Sequence, residues 1–261
     1  MSPVVAGPVV STVADRVGSI VLNRPDQMNA ISTELAVALE SAVRELGARD
    51  DVAVITIRGA GGNFCAGGDF AEVQRLRADG PDALRELFVA FRGACRAVGE
   101  VDQPVVALVE GVAMAGGFEL VQAVDIALVR TDARLSDNHV NFGQVPGGGG
   151  SQRLARLVGR SRALGHVLSG ERLSGLQAEQ WGLALHAYPP ETFDAEVVAF
   201  VGRLAGRRRD ALTGIKSLVR RGLEGDLEDG LDLELDAVVA HISGEAGEAG
   251  VQDFTTKGSK R

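Results

Sequence analysis

Apolar positions along the chain change period several times, and each change marks an element. Residues 9–23 hold two β-branched runs, VVSTVA and SIVLN, around the polar segment DRVG. That pattern predicts a β-hairpin, which Pro25 closes. From Thr33 to Leu46 the period becomes helical, with Leu35, Leu39, Val43 and Leu46 on one face and Ser32 placed as N-cap. VAVITIR, 52–58, is a continuous apolar run of strand length, which predicts a strand buried on both faces. A glycine-rich stretch, GAGGNFCAGGDF, comes next, then a helical region over about 82–99. Pro104 opens a second buried strand, VVALV, and the glycine-rich EGVAMAGG leads into a helix near Phe118. DIALV at 125–129 reads as a further strand, followed by the short ARLS segment, and QVPGGGG at 144–150 as a loop feeding a helix near Ser151. Beyond Arg160 the pattern is mainly helical, and 190–257 carries no buried-strand run. Strands alternating with helices predict the α/β class, with a β/α core over 1–189 and a helical C-terminal subdomain over 190–261.

Composition narrows this picture. The 261 residues are only 4% aromatic and include 34 glycines, so the core is built from Val, Leu, Ala and Ile with backbones in close approach at glycines. A formal net charge of −8 argues against a nucleic-acid partner, which would need a basic face. An anionic ligand would then rely on a few basic groups or on helix N-termini. Two cysteines, Cys65 and Cys95, make no disulfide framework and point to a reducing, cytoplasmic setting. The N-terminal MSPVVAGPVVSTVADR does not read as a signal peptide, and no apolar run approaches a membrane span.

The chemistry gathers where two successive buried strands give way to glycine-rich turns, CAGGD at 65–69 and MAGGFE at 114–119. Such turns let backbone N–H groups point inward unobstructed, and two converging donors make an oxyanion hole for a thioester carbonyl becoming an enolate. Glu119 falls in the first turn of the helix that the second loop opens, where a carboxylate can act as general base or orient water. Each piece also has a plain structural use: a first-turn Glu complements the helix dipole, and Asp69 is placed to cap a helix beginning near Phe70. The ordered combination is far more specific than any one piece.

NRPDQMNAIS, ITIRGAGGNFCAGGDF, PVVALVEGVAMAGGFELVQAVDIALV and VPGGGGSQRLARLVG resemble the successive blocks of the crotonase (enoyl-CoA hydratase/isomerase) superfamily, in family order, over about residues 9–257. The resemblance implies a crotonase-type spiral β/α core with a helical C-terminal trimerisation subdomain, assembled as a homotrimer or hexamer. It implies acyl-CoA substrates and no metal or redox cofactor. Gly68 and Gly116 match the two oxyanion donors, and Glu119 matches the first of the two glutamates used by hydratases. Gln27, Met28 and Ala30 match the loop that lines coenzyme A, with Ala66 and Asp69 beside it. Phe254 and Lys257 match a C-terminal Phe-x-x-Lys that reaches coenzyme A, commonly from a neighbouring subunit. Asp26 stands where many relatives carry a basic residue.

One position departs from the pattern. The family's second glutamate falls here on His139, in SDNHVNFGQVP, twenty residues after Glu119 and flanked by Asp137 and Asn138. A histidine can donate or accept a proton near neutral pH, so a Glu119/His139 pair is compatible with a hydratase-like lyase. The same pair suits enoyl-CoA isomerisation, decarboxylation or C–C hydrolysis. A catalytically silent acyl-CoA-binding protein, with His139 purely structural, is the rival of a different class.

Overall fold

The computed structural model describes residues 7–244 and Gly247. It opens on the expected hairpin, β1 (Val9–Ala14) and β2 (Val17–Leu22). The two residues between them, Asp15 and Arg16, both have positive φ, as the tight hairpin turn matching strand twist requires. A single 3₁₀ turn, Pro25–Gln27, leads to α1 (Thr33–Gly47). Ser32 caps that helix by accepting the Leu35 N–H, and Leu35, Leu39, Val43 and Leu46 are all buried along it.

Then come β3 (Val54–Gly59), α2 (Phe70–Asp79), α3 (Pro81–Glu100), β4 (Val105–Val109), β5 (Val112–Met114), α4 (Gly116–Ala123), β6 (Ile126–Arg130) and β7 (Arg134–Ser136). The chain continues through α5 (Gly150–Val158), α6 (Arg160–Ser169), β8 (Leu173–Ser174), α7 (Gly175–Gln180), β9 (His186–Tyr188) and α8 (Phe193–Ala205). The larger sheet runs β1-β2-β3-β4-β6-β9, and the smaller β5-β7-β8. β1 is antiparallel to β2, while β2, β3, β4, β6 and β9 are mutually parallel. Every residue of β4 is buried, which is why it reads as an unbroken apolar run.

Three short strands escape the sequence pattern. β5, β8 and β9 have three residues or fewer, too few to display a period. β5 lies inside the segment expected to be one glycine-rich loop. Gly111, at φ 61°, breaks the chain from β4, and a side chain there would sit 2.2 Å from the Gly62 carbonyl oxygen. The strand after this break joins the smaller sheet, and α4 begins at Gly116 rather than near Phe118.

The chain divides into two compact units, residues 1–206 and 207–261. The expected division at 190 would separate α8 from the core. Instead Phe193, Val197, Val201 and Ala205 are buried, and α8 packs on β2, β3 and β6. The second unit, as described, comprises α9 (Arg209–Gly222) and α10 (Leu227–Ser243), which pack on each other.

Candidate active site

The two glycine loops are tied side by side by backbone hydrogen bonds. Cys65 N–H donates to Val112 O at 3.0 Å, and Met114 N–H donates to Cys65 O at 3.0 Å. A side chain on Gly67 would come within 2.8 Å of Ala115 Cβ and 3.0 Å of Met114 O, so the loops meet there only because position 67 is glycine. On the other flank, Ile31 N–H donates to Gly67 O at 2.7 Å and Asp69 N–H donates to Ile31 O at 2.8 Å. Ala115 holds φ 46° and ψ −118°, a sparsely populated conformation that costs on the order of 1–3 kcal/mol and turns the chain into α4. Within this mesh, and among the described residues, the amides of Gly68 and Gly116 donate to no protein acceptor. Gly116 is the first residue of α4, so its N–H is one of the helix's orphan donors and sits at the positive end of the dipole.

Glu119, in the same first turn, is almost wholly buried. Its Oε1 accepts the N–H of Gly148 at 2.8 Å and of Gly150 at 2.7 Å, leaving Oε2 to meet a ligand. The run of glycines at 147–150 thereby acquires a function. A side chain at Gly148 would fall 2.2 Å from the Phe91 ring and 2.9 Å from Glu119 Oε2, and one at Gly150 would fall 3.0 Å from both Glu119 Oε1 and Asp137 Oδ2. Burial pushes the Glu119 carboxyl up, with the Asp137 charge adding to it, against the two amides and His139.

His139 begins a 3₁₀ turn, His139–Phe142. Its Nδ1 lies 2.7 Å from Asp137 Oδ1, and Asp137 is fully buried. Burial opposes charge on the imidazole, but the hydrogen bond and charge of Asp137, with the charge of Glu119, outweigh it and raise the His139 pKa above the usual histidine value. The Asp137 N–H donates to His166 Nε2 at 3.1 Å. That ring lies between Phe118 and Trp181, and burial lowers its pKa, so it is a neutral acceptor.

A cavity of about 370 Å³ brings these groups together, lined by Gly68, Gly116, Glu119, Asn138 and His139 on its polar side. Phe70, Phe88, Phe91 and Phe142 stand among its apolar walls. Ala66 lines it too, while Gln27 and Met28 are exposed and Ala30 is buried. Met28 O accepts the Ala66 N–H at 2.9 Å, which joins that segment to the first glycine loop. Asp69 has two structural partners, capping α2 through the Glu72 N–H and pairing with Arg24 at 2.7 Å. Phe254 and Lys257 lie outside the described residues. Cys65 and Cys95 are buried, and burial pushes both thiols up to about 12, which leaves them as packing groups.

Known proteins share this arrangement of chain. The family model described as enoyl-CoA hydratase/isomerase matches residues 12–261. The chain belongs to the enoyl-CoA hydratase/isomerase family. A probable enoyl-CoA hydratase of Rhizobium meliloti is 31% identical over 242 residues, 93% of this chain and 92% of the relative. The peroxisomal Δ3,5-Δ2,4-dienoyl-CoA isomerase of Arabidopsis thaliana is 30% identical over 223 residues, 82% of this chain and 80% of the relative. Among solved structures, the enoyl-CoA hydratase of Bacillus anthracis superposes with a TM-score of 0.90 at 28% identity, covering 96% of each chain. That of Polaromonas sp. JS666 gives 0.91 at 27%, covering 95% of this chain and 97% of that one. This member of the hydratase/isomerase family is therefore an acyl-CoA-processing enzyme with the crotonase fold.

Within that frame the sequence leaves several partners unnamed. Asp137 enters the reading only as a flanking residue, and the amides of Gly148 and Gly150 only as part of a loop. Asn29, in the QMNA stretch, is fully buried; its side-chain N–H groups donate to Ala60 O at 2.9 Å and Asn63 O at 2.7 Å and so secure the 27–30 segment. The spacing of Asp137 and His139 was the available signal, because residues two apart in a non-helical segment can share one side of the chain.

Proposed function

We propose that this enzyme is a hydratase-type lyase that adds water across the C2=C3 bond of an enoyl-CoA thioester, with Glu119 as general base and His139 as general acid. The observation that carries the reading is the presence in one cavity of two uncommitted amides, Gly68 and Gly116, with Glu119 and His139 on the same lining. Glu119 Oε2 takes a proton from water as the water oxygen bonds to C3. The π electrons move toward the thioester oxygen, and the enolate so formed is held by the two amides. C2 then takes the Nε2 proton of the His139 imidazolium, and the thioester carbonyl reforms. A carboxyl raised by burial is a stronger base, and an imidazole raised by Asp137 holds its proton to higher pH than an ordinary histidine does. Coenzyme A is assigned to Gln27, Met28, Ala30 and Ala66, with Asp69 supporting that wall through Arg24. Phe254 and Lys257 are assigned to coenzyme A bound by a neighbouring subunit of a trimer or hexamer.

The test is hydration of crotonyl-CoA followed by loss of enoyl absorbance. His139→Ala is expected to cut turnover by about 10²–10⁴-fold, the usual contribution of a positioned acid or base, with thioester binding little changed. His139→Glu is expected to retain water addition. An alanine variant as active as the parent would remove His139 from the mechanism. A His139→Glu variant that gains hydration which the parent lacks would replace the hydratase reading with isomerisation, decarboxylation or C–C hydrolysis.

A further inference from the structure

Asp137 is not among the residues lining the cavity, yet it stands directly behind His139. It is fully buried, and its Oδ1 holds His139 Nδ1 at 2.7 Å, leaving Nε2 as the ring nitrogen available to substrate. Its backbone N–H is anchored on His166 Nε2. Its Oδ2 is buried with no hydrogen-bond partner. That oxygen and Glu119 Oε1 both lie against Gly150, each 3.0 Å from where a side chain on Gly150 would project. A buried, half-satisfied carboxylate costs stability, and such a group two residues from a site histidine calls for a purpose.

We propose that Asp137 is the positioning residue of this site: anchored by His166, it fixes the His139 ring with Nε2 toward substrate and sustains the imidazolium that donates to C2. The inference rests on the reading of His139 as general acid. A neutral residue of the same shape at 137 would keep the ring's surroundings and remove the charge that sustains its proton. Among the described residues, the charged groups acting on His139 are Asp137 on its own segment and Glu119 from α4, with His166 from α6 behind Asp137. Arg153 of α5 lies beyond Gly148, whose carbonyl oxygen it holds at 2.6 Å. Glu119 is thus the acidic group that remains against burial once Asp137 is neutral, and the His139 pKa is expected to fall. Under acid catalysis by His139, activity declines as pH rises through that pKa, so the alkaline limb of the pH–rate profile should move to lower pH.

The experiment is Asp137→Asn, with two readouts. The chain has four histidines, so NMR titration of ring C–H signals resolves His139 without any substrate. The expected result is a His139 pKa above the ordinary value in the parent and lower in Asp137→Asn. Turnover should fall about 10²-fold at nearly constant KM, and the alkaline limb should shift with the NMR value. A His139 pKa that is unchanged in Asp137→Asn overturns the proposal, as does a parent His139 titrating below the ordinary value; the latter decides the matter even if the variant does not fold. If the titration shifts as expected but neither protein hydrates enoyl thioesters, the pairing stands and the assigned reaction falls.

Discussion

Glu119 is a carboxylate kept where charge is costly: buried, beside a second buried carboxylate, and relieved by two amides on one oxygen only. Its pKa in the folded state lies above its ordinary value, so folding binds its proton more tightly than the unfolded chain does. Stability from this group is therefore lost as pH rises through the ordinary glutamate range toward the raised value. Glu119→Gln is expected to raise the melting temperature at neutral pH while abolishing turnover, a stability–activity trade. The gain should vanish in acid, where the parent's carboxyl is protonated in both states. Thermal melts of parent and variant across pH check this, and a gain independent of pH would contradict it. At this scale the sequence names Gly68, Gly116, Glu119 and His139, because their types and spacing carry a chemical pattern. It does not name the amides of Gly148 and Gly150, since any residue can supply an N–H and only the loop's path aims it.

α4 is the element on which the site is mounted, and all eight of its residues are buried. Gly117 shows why that helix tolerates two glycines at its start. A side chain there would lie 2.2 Å from Cys65 O and 2.8 Å from Cys65 Cβ. Alanine gains roughly 1 kcal/mol over glycine in a helix, but overpacking against a fixed backbone atom costs about 1–3 kcal/mol or more, so the clash prevails. Gly117→Ala is expected to lower the denaturation midpoint and to reduce turnover by displacing the first glycine loop; equal stability in denaturant titrations would show that the loops are looser than described. The long elements, the first hairpin, α1, β3 and β4, are legible because each sustains its period over several residues. β5, β8 and β9 are not, since their strand geometry comes from neighbours in the sheet rather than from their own pattern. β5 matters most for function, as it binds the first glycine loop to the second.

At the scale of the whole molecule, among the described residues no helix is long and apolar enough to cross a membrane. The second unit nevertheless exposes apolar side chains in four-residue steps: Ile215 and Val219 on α9, Leu223 just past its end, then Leu227, Leu231 and Leu235 on α10. Stripes of that kind mark surfaces that are covered by a partner, which supports the proposed trimer or hexamer. Sedimentation velocity at micromolar concentration is expected to give one of these species. A stable monomer would contradict it and would leave Phe254 and Lys257 without a neighbour's coenzyme A to reach. The same whole-molecule view gives the two cysteines a use. Cys65 holds the two glycine loops together through its backbone, and its thiol, like that of Cys95, is buried and reluctant to ionise. A thiol reagent can capture either sulfur only when the fold opens around it. The rate of labelling at Cys65 thus clocks how often the wall of the site comes apart, while labelling at Cys95 clocks openings around α3.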